Sequence, residues 1–501
     1  MLTIHPQFWH LMSPEIVLVG FGIILLILSA VKGSESYRRG IGYLSLLGFG
    51  ITLVLTFQTL FALKGTARIA VLSTQSGAAS LVVDPFSQIF KIIILAGALL
   101  TVLMSFKSLK VQKALTGEYF TFLVFAVFGM MVMSSGDDLL TLWVGLETMA
   151  LCVYVLAAYL RRKEHSIEGA LKYFLLGAMS SGFYLYGVSF IYGATGSIHL
   201  DALRRDLAVR IAHGGIQSIG FPFGAGLVLL SAALLFKAAL APFHWWTPDA
   251  YQGAATPVTA FMSVAPKAAA FAMLLRIFME GLMPVAPAWT TLLSLVAVIT
   301  MFWGNIAAML QQNVKRMLAY SSIAHAGYVL IGVVAAGMTD TNEGITAAVF
   351  YLLVYVFMNI GAFCLVLYLE HEGSGGDDLS DFDGLIHRKP VLAILMILFL
   401  LSLGGIPPTA GFVAKFNIFM SAVNAGAYIL AVVLAVTTVI SLYYYFRVIF
   451  HMFLKESTAT EPITGGFWLG AAMTVAGVAT LFIGLYAQPF LAWTAHAVLL
   501  G

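Results

Sequence analysis

The sequence predicts an all-α polytopic membrane protein with about fourteen transmembrane helices, and three observations support that prediction. Of its 501 residues, 60% are hydrophobic and 10% are charged, whereas a soluble domain carries about 25% charged residues. Apolar runs of about 20 residues, the length that crosses a bilayer as a helix, recur along the chain. Lysine and arginine are distributed unevenly between alternate loops. A soluble protein of this composition would expose large apolar patches and aggregate.

Fourteen segments are long and apolar enough to be membrane spans. They are approximately residues 15–31, 41–62, 86–106, 118–135, 137–160, 167–192, 222–242, 258–279, 288–310, 316–337, 344–369, 390–423, 426–453 and 467–491. The sequence GGIPP interrupts the segment 390–423, which is therefore one broken span or two short pieces. The N-terminus lacks the positive region that begins a cleavable signal peptide, so the first apolar run is expected to be a retained span.

The orientation follows from the lysines and arginines of the loops, which favour the inner side of the membrane. With the N-terminus outside, fifteen of the 26 lysines and arginines lie in inner loops, beginning with Lys32, while five lie in outer loops and six inside spans. The outer ones are Lys64, Arg68, Arg204, Arg205 and Arg210. An even number of spans then places both termini on the outer side.

Internal symmetry is expected within this single membrane domain, residues 1–501. Residues 118–279 and 288–453 each contain five predicted spans. Because five is odd, the second set runs opposite to the first, which predicts an inverted repeat. Residues 1–106 and 467–501 supply flanking helices.

Each predicted repeat contains one span that proline interrupts. Pro242 lies in FKAALAPFHWW, and Pro407 and Pro408 lie in LGGIPPTAGFVAKF. Proline has no amide proton and breaks the helical hydrogen-bond ladder. Broken helices at matching places in two halves indicate a transport site, and unwound backbone at this depth must line protein or a wet cavity.

Several ionisable side chains lie inside the predicted spans, where an isolated charge costs about 3 to more than 10 kcal/mol. The mid-span set comprises Glu147, Lys237, Lys267, His325 and Lys415, and Lys172 lies nearer the inner surface. Chains keep such residues mainly for function or for pairing. A purely structural ion pair is the alternative for each lysine, and a packed side chain is the alternative for His325.

Lys237 and Lys267 lie on consecutive spans joined by an inner turn, each about 9–14 Å from it, so the two side chains lie at similar depth and could face each other. Their repulsion and their burial both favour the neutral form. A carboxylate from Glu147 beside Lys237 would favour the charged form, and this pairing is a hypothesis. A lysine that alternates between the two forms carries protons, and a solvated His325 could relay them.

Two further charged residues, Lys91 and Arg276, lie near span ends and are expected to snorkel towards the surface.

Other features of the sequence predict no cofactor. Cys152 and Cys364 stand alone in apolar runs, which gives no support for a disulfide, a zinc site or an iron–sulfur cluster. The sequence also lacks nucleotide-binding loops and basic stretches of the kind that bind nucleic acids.

Two long segments resemble a known family. LLFKAALAPFHWWTPDAYQGAATPVTAF (234–261) resembles the signature of the antiporter-like subunits of respiratory complex I, which are similar to Mrp-type cation/proton antiporters. DLSDFDGLIHRKPVLAILMILFLLSLGGIPPTAGFVAKF (378–416) is similar to the subunit N branch of bacterial NADH–quinone oxidoreductase. The resemblance extends over essentially the whole chain.

The resemblance implies a proton-translocating subunit of NADH–quinone oxidoreductase in a bacterial inner membrane, with both termini periplasmic. The residues implied in proton transfer are Glu147, Lys172, Lys237, Lys267, His325 and Lys415. No redox centre, metal or quinone site is implied in this chain, since FMN and the iron–sulfur clusters are expected in partner subunits. The implied neighbours are subunits M, K and J of the membrane arm, together with the lipid bilayer.

Other functions remain open at this point. The chain could be a subunit of a Mrp-type cation/proton antiporter or of a membrane-bound hydrogenase. It could also be a structural spacer in a larger complex, with buried charges used only for packing. No motif separates transport of H⁺ from transport of Na⁺.

Overall fold

Helices of membrane-spanning length dominate the computed structural model, which describes residues 2–31, 33–63, 68–74, 77–114, 116–370, 376–457 and 463–499. Within these ranges, twelve helices have the length and composition of membrane spans. Two shorter apolar helices, Ser13–Ser29 and Pro390–Gly404, bring the number to the fourteen that the sequence predicts. Lys32 and Lys64 lie outside the described residues.

The α-helices and strands follow one another along the described chain with short connections. The helices are α1 Phe8–Leu11, α2 Ser13–Ser29, α3 Glu35–Ala62, α4 Pro85–Val111, α5 Gly117–Ser135, α6 Leu139–Ala157, α7 Glu164–Thr195, α8 Leu200–Gly214, α9 Gly220–Lys237, α10 Trp246–Gly253, α11 Thr256–Leu275, α12 Ala286–Met309, α13 Val314–Thr339, α14 Glu343–Leu369, α15 Leu385–Arg388, α16 Pro390–Gly404, α17 Ala410–Asn424, α18 Tyr428–Leu454, α19 Phe467–Leu485 and α20 Gln488–Thr494. The strands are β1 Leu2–Ile4, β2 Ile69–Thr74 and β3 Ala79–Val83. A π-helical turn, Arg276–Gly281, continues α11, and short 3-10 turns occupy Ile216–Ile219, Met283–Val285 and Leu379–Phe382.

The ends of the helices differ from the predicted spans where polar residues join the helix or where proline breaks it. The predicted span 41–62 begins earlier, at Glu35, because the hydroxyl of Ser34 caps the first turn. The predicted span 222–242 is interrupted, as Pro242 predicts, and α9 already ends at Lys237. Hydropathy alone does not detect either feature.

Close helix packing depends on small residues, as is usual where lipid surrounds the helices. Gly129 of α5 faces Gly145 of α6. A Cβ at Gly129 would lie 2.5 Å from the amide nitrogen of Met149, and one at Gly145 would lie 2.8 Å from the carbonyl oxygen of Gly129. The two helices therefore touch backbone to backbone, which fixes the position of the α6 residues that follow.

A small antiparallel sheet lies on the predicted outer side, with strand order β1-β2-β3. Helix α8 lies in the long outer loop between α7 and α9. Its Leu200, Leu203 and Leu207 are fully buried, at the spacing that places side chains on one face of a helix. The outer loop is therefore an amphipathic helix that packs on the bundle.

The prediction that Lys91 and Arg276 snorkel is wrong, because both side chains are fully buried beside carboxylates. The ammonium nitrogen of Lys91 lies 2.5 Å from Glu15 Oε1 on α2. Arg276 Nη2 lies 3.0 Å from Asp84 Oδ2, and its Nη1 lies 2.9 Å from Glu280 Oε1. Buried charges persist when they are paired, and the distant partners cannot be read from hydropathy.

The ion pairs of Arg276 belong to a larger group, the outer ionic cluster, defined by Arg68, Asp84, Asp137, Arg276 and Glu280. Arg68 pairs with Asp137 and with Glu280, whose Oε1 lies 3.1 Å from Arg68 Nη1. Burial raises the pKa of Asp137 to about 8, and the nearby Glu280 carboxylate acts in the same direction. Since three carboxyl groups share two guanidinium groups, the cluster carries one excess negative charge when all three carboxyl groups are ionised.

Candidate functional site

The break in the first interrupted span lies between α9 and α10. Helix α9 ends at Lys237, α10 begins at Trp246, and Pro242 lies in the segment between them. The amide of Ala241 donates to Thr300 Oγ1 of α12 at 3.0 Å. A side chain from a neighbouring span thus satisfies backbone that the break has freed, as unwound chain at membrane depth requires.

Lys237 lies at the end of α9 with its side chain 2% exposed. Its Nζ is 3.9 Å from Glu147 Oε1 and donates to the hydroxyl of Tyr154 at 3.3 Å. Glu147 is half-buried and also accepts a hydrogen bond from Ser181 Oγ. The structure therefore places Glu147 next to Lys237, as the pairing hypothesis requires.

Lys267 lies in the middle of α11 and is bound by α13. Its Nζ lies 2.5 Å from both the carbonyl oxygen and the hydroxyl of Ser322. The ring of Tyr355 is 5.9 Å from the same nitrogen, a cation–π distance. Lys267 is thus held by Ser322, whereas Lys237 is held by Glu147 and Tyr154.

His325 continues the polar face of α13, one turn beyond Ser322. Its Nδ1 lies 2.6 Å from the hydroxyl of Tyr351, and its Nε2 lies 3.2 Å from the hydroxyl of Tyr445. Ser322, His325 and Tyr328 are spaced by three residues, which places them on one side of the helix. All three are buried, so α13 presents a polar stripe inside the bundle.

The break in the second interrupted span lies between α16 and α17. Helix α16 ends at Gly404, α17 begins at Ala410, and Pro407 and Pro408 lie between them. Gly405 follows α16 with a φ of 78°, a left-handed conformation that glycine adopts readily.

Lys415 of α17 points back towards this break. Its Nζ donates to the carbonyl oxygen of Gly404 at 3.2 Å and lies 4.9 Å from the centre of the Tyr328 ring. A Cβ at Gly405 would lie 2.7 Å from Lys415 Cδ. The absence of a side chain at Gly405 therefore makes room for the stem of the lysine.

The lysines beside the two breaks share one electrostatic feature. Lys237 is the last residue of α9, and Lys415 binds the last carbonyl of α16. The C-terminal end of a helix carries a partial negative charge, which favours a cation. Both ammonium groups thus have support from a half-helix end although they are buried.

Lys172 lies apart from the buried lysines. Its side chain is 45% exposed and forms ion pairs of 2.7 Å with Glu168 and with Asp249. Asp249 also pairs with Arg316 at 2.7 Å. The structure therefore places Lys172 in an ionic group at the predicted inner surface.

Sequence reasoning missed most of the neutral partners of the buried charges. Tyr351 and Tyr445 bracket His325, and Tyr154 contacts Lys237. His244, two residues after Pro242, is also buried. Its position beside a predicted break was a usable signal, whereas tyrosines inside apolar runs give none.

The described residues contain no group of three or more His, Cys, Asp or Glu side chains that could hold a metal ion. Cys152 and Cys364 are free thiols. That the chain carries no cofactor stays a prediction.

Comparison with known proteins identifies the family. The profile of the family described as NADH:quinone oxidoreductase/Mrp antiporter, TM matches residues 136–441, more than half of the chain. The chain belongs to this family. The matched region contains all six predicted site residues, from Glu147 to Lys415.

Relatives within the NADH:quinone oxidoreductase/Mrp antiporter family cover nearly the full length. The chain is 44% identical to NADH-quinone oxidoreductase subunit N 1 of Koribacter versatilis, over 95% of this chain and 93% of the relative. It is 39% identical to NADH-quinone oxidoreductase subunit N of Chloroflexus aggregans, over 98% and 97%.

Solved structures agree in fold. A chain of respiratory complex I from Thermus thermophilus, solved with bound aureothin, is 35% identical with a TM-score of 0.79, over 96% of this chain and 99% of that one. A chain of the archaeal membrane-bound sulfane sulfur reductase is 26% identical with a TM-score of 0.82, over 98% and 96%. A chain of the Mrp complex from Dietzia sp. DQ12-45-1b, 22% identical over the same shares with a TM-score of 0.83, supports the fold alone.

Proposed function

We propose that this chain is a membrane subunit of a NADH–quinone oxidoreductase and moves protons through its interior, coupled to electron transfer in other subunits. The near full-length similarity to proteins named subunit N supports the assignment to that enzyme. The observation that carries the mechanism is the series of buried ionisable groups, each held by a partner that tolerates both of its protonation states.

The first step of the proposed path is the pair formed by Glu147 and Lys237. At 3.9 Å the carboxylate supports a charged ammonium, while burial of the lysine opposes the charge. Since Glu147 is half-buried, it can respond to a neighbouring charge more readily than Lys237. Weakening of the Glu147 carboxylate field, by protonation or by a neighbouring cation, would release a proton from Lys237.

The second step uses the polar stripe of α13. Ser322 holds Lys267, and His325 lies between the hydroxyls of Tyr351 and Tyr445. A hydroxyl both donates and accepts, and each imidazole nitrogen does one or the other. The stripe can therefore pass a proton by exchanging hydrogen bonds, without any charge leaving the polar interior.

The last step ends at Lys415. The carbonyl of Gly404 and the face of the Tyr328 ring both favour its ammonium form, and burial favours its neutral form. We propose Lys172 and its ionic group as the inner-surface entry and Lys415 as the last holder before the outer side. The two breaks would mark corresponding places in the inverted repeats 118–279 and 288–453.

The proposal also covers the membrane in which the chain lies and the subunits that surround it. The chain is a multi-span membrane protein of this family, and we place it in a bacterial inner membrane with both termini periplasmic. Subunits M, K and J would be its neighbours. FMN and iron–sulfur clusters in other subunits would carry the electrons.

Substitution of the break lysines tests the proposal. Lys237→Ala and Lys415→Ala are each expected to assemble with the enzyme but to lose proton pumping in inverted membrane vesicles energised with NADH. Lys389→Ala removes an exposed lysine and is expected to pump normally. Normal pumping in both Lys237→Ala and Lys415→Ala would refute the path.

Arginine variants separate proton transfer from a structural ion pair. The guanidinium stays charged at any relevant pH, so Lys237→Arg can keep an ion pair with Glu147 but cannot release a proton. Loss of pumping with normal assembly is expected. Retained pumping in Lys237→Arg would instead favour the structural spacer.

The Mrp-type antiporter and the membrane-bound hydrogenase are separated from the main proposal by what purifies with the chain. A mild-detergent pull-down is expected to yield NADH-dependent quinone reduction. Recovery of small membrane subunits alone would favour the antiporter, and hydrogen-evolving activity would favour the hydrogenase.

A further inference from the structure

We propose that Glu370 collects protons at the inner surface and that a polar file between α11 and α14 passes them to Lys267. The polar file consists of Thr256 and Ser263 of α11 and of Asn359 and Tyr355 of α14. It supplies Lys267 directly from the inner side, without transfer from Lys237. This second uptake line rests on the proposed proton-translocating function.

The inner end of the polar file lies at a cavity of about 400 Å³, where three inner turns of the chain meet the end of α14. Lys163, Glu164 and His165 in the cavity wall are exposed, so the cavity is in contact with the inner solution. Among the described residues, the ionisable side chains that line it are Lys163, Glu164, His165, Lys315, Glu370 and Asp377. Imidazole and carboxyl groups take up and release protons, so this cavity can gather them from the solution.

Glu370 is the buried carboxylate of this cavity, with 4% of the residue exposed. Its Oε2 accepts from Thr256 Oγ1 at 3.3 Å, and its Oε1 accepts from the side-chain amide of Gln112. Lys107 and Lys315, whose charges interact with Glu370, donate instead to backbone carbonyl oxygens. Hydroxyl and amide groups can bond a protonated or an ionised carboxyl group, so Glu370 keeps its partners in both states.

Thr256 connects Glu370 to the start of α11, because it is the first residue of that helix. The N-terminal end of a helix carries a partial positive charge, which stabilises a nearby carboxylate. Ser263 and Lys267 follow Thr256 on the same face of α11, and all three are buried. At about 1.5 Å per residue, Ser263 lies about 10 Å from Thr256 along the helix axis, and Lys267 lies about 6 Å further.

Helix α14 supplies the opposite side of the polar file. Asn359 Nδ2 donates to Ser263 Oγ at 2.6 Å. Tyr355 lies about one turn from Asn359, and its ring is 5.9 Å from Lys267 Nζ. The two helices therefore meet through polar contacts at the inner end, in the middle and at the lysine.

The side-chain oxygen of Asn359 indicates where water enters the polar file. This oxygen is buried and has no hydrogen-bond partner among the described residues. An unsatisfied buried acceptor costs about 1–3 kcal/mol, and ordered water usually serves such groups in native proteins. Water there would carry a proton between the hydroxyl groups and Lys267. A hydrogen bond that only packs two helices together needs neither this oxygen nor a buried carboxylate at the end of the line.

Glu370→Gln tests the collecting role, because the amide keeps the size of the side chain but cannot hold a proton for transfer. In inverted vesicles the inner surface faces the medium, so the pH at the cavity is set directly. NADH-driven proton uptake is expected to fall several-fold above neutral pH. It should fall less at lower pH, where protons reach the polar file directly from the solution. Glu118→Gln removes an exposed carboxylate at the same side and is expected to pump like the unaltered chain at every pH.

Pumping by Glu370→Gln that equals the unaltered chain would overturn the proposal. A loss of the same size at every pH would overturn it too, because a purely structural role predicts that result. Lys267→Ala separates this proposal from the function on which it rests. Lost pumping in Lys267→Ala with normal pumping in Glu370→Gln would refute the second uptake line alone, and normal pumping in both would also refute the proton path.

A second variant tests the middle of the polar file and does not depend on the assembly of Glu370→Gln. Asn359→Leu with Ser263→Ala removes both partners of one buried hydrogen bond, which costs little stability when neither is left unpaired. Ser105→Ala with Tyr119→Phe removes another buried pair, 2.9 Å apart between α4 and α5, as the control. Pumping is expected to fall several-fold in the first variant and to be normal in the second. Equal pumping by the two would refute the route between α11 and α14.

Discussion

Gly405→Ala replaces no charged residue, yet it is expected to abolish most proton pumping. The added Cβ would lie 2.7 Å from Lys415 Cδ, and two carbons need about 3.5 Å, so the lysine stem must retreat about 0.8 Å. The φ of 78° adds about 1–2 kcal/mol of backbone strain for alanine. Rotation of the lysine lengthens its 3.2 Å hydrogen bond to the Gly404 carbonyl, which removes the support of the ammonium form.

Gly426→Ala is the matched control. Gly426 has a φ of 72°, but a Cβ there meets nothing within 4 Å, so this variant carries the backbone strain without displacing a lysine. Both variants are expected to lose similar stability, measured as a thermal unfolding midpoint in detergent. NADH-driven proton uptake by inverted vesicles should fall several-fold in Gly405→Ala alone. Equal pumping by the two variants would refute the inference that Gly405 positions Lys415.

The remaining predictions concern charges away from the proton path. Arg276→Gln leaves the buried Asp84 carboxylate without its ion-pair partner and Glu280 paired with Arg68 alone, and it is expected to lower the free energy of unfolding by about 3–5 kcal/mol. Arg210→Gln, which breaks an exposed pair, should lower it by at most about 1 kcal/mol, and similar losses in the two variants would contradict this. Because burial raises the pKa of Asp137 from 3.8 to about 8, the folded protein binds an extra proton between these values, and thermal stability is expected to fall as pH rises through that range. Asp137→Asn should flatten that pH dependence, whereas an unchanged slope would assign it to other groups. Glu15→Gln should destabilise the chain by leaving Lys91 buried without a carboxylate, and Glu15→Leu with Lys91→Met should recover most of the loss in the same thermal assay.

The fold was predictable because lipid imposes a simple rule on sequence. A span must be apolar over about 20 residues, and a proline in it kinks or breaks the helix, although α11 continues through Pro266. Those rules locate the fourteen helices, and they locate both breaks through Pro242 and the Pro407–Pro408 pair. They do not locate α8, which is only moderately apolar and packs through one leucine face.

The candidate site was predictable only as far as charge is conspicuous in an apolar run. Glu147 and Lys237 stand out in sequence, and the structure places them 3.9 Å apart. Ser322 and Tyr445 do not stand out, because hydroxyl side chains are common in spans and usually bond within their own helix. Of the partners of Arg276, Glu280 lies one helical turn away, but Asp84 comes from a distant segment that only the tertiary structure brings near.

The arrangement of the site argues for a segmented path. Lys237 is bound by Glu147 and Tyr154, Lys267 is bound by Ser322, and among the described residues the two lysines share no partner. A permanently connected series of hydrogen bonds from one side to the other would let protons leak back and dissipate the gradient. In the proposed path, a gap at the first break would open and close instead. Because unwound backbone at this depth is tolerated beside water, the break would supply the gap, and water there would bridge it when the charge on Glu147 changes.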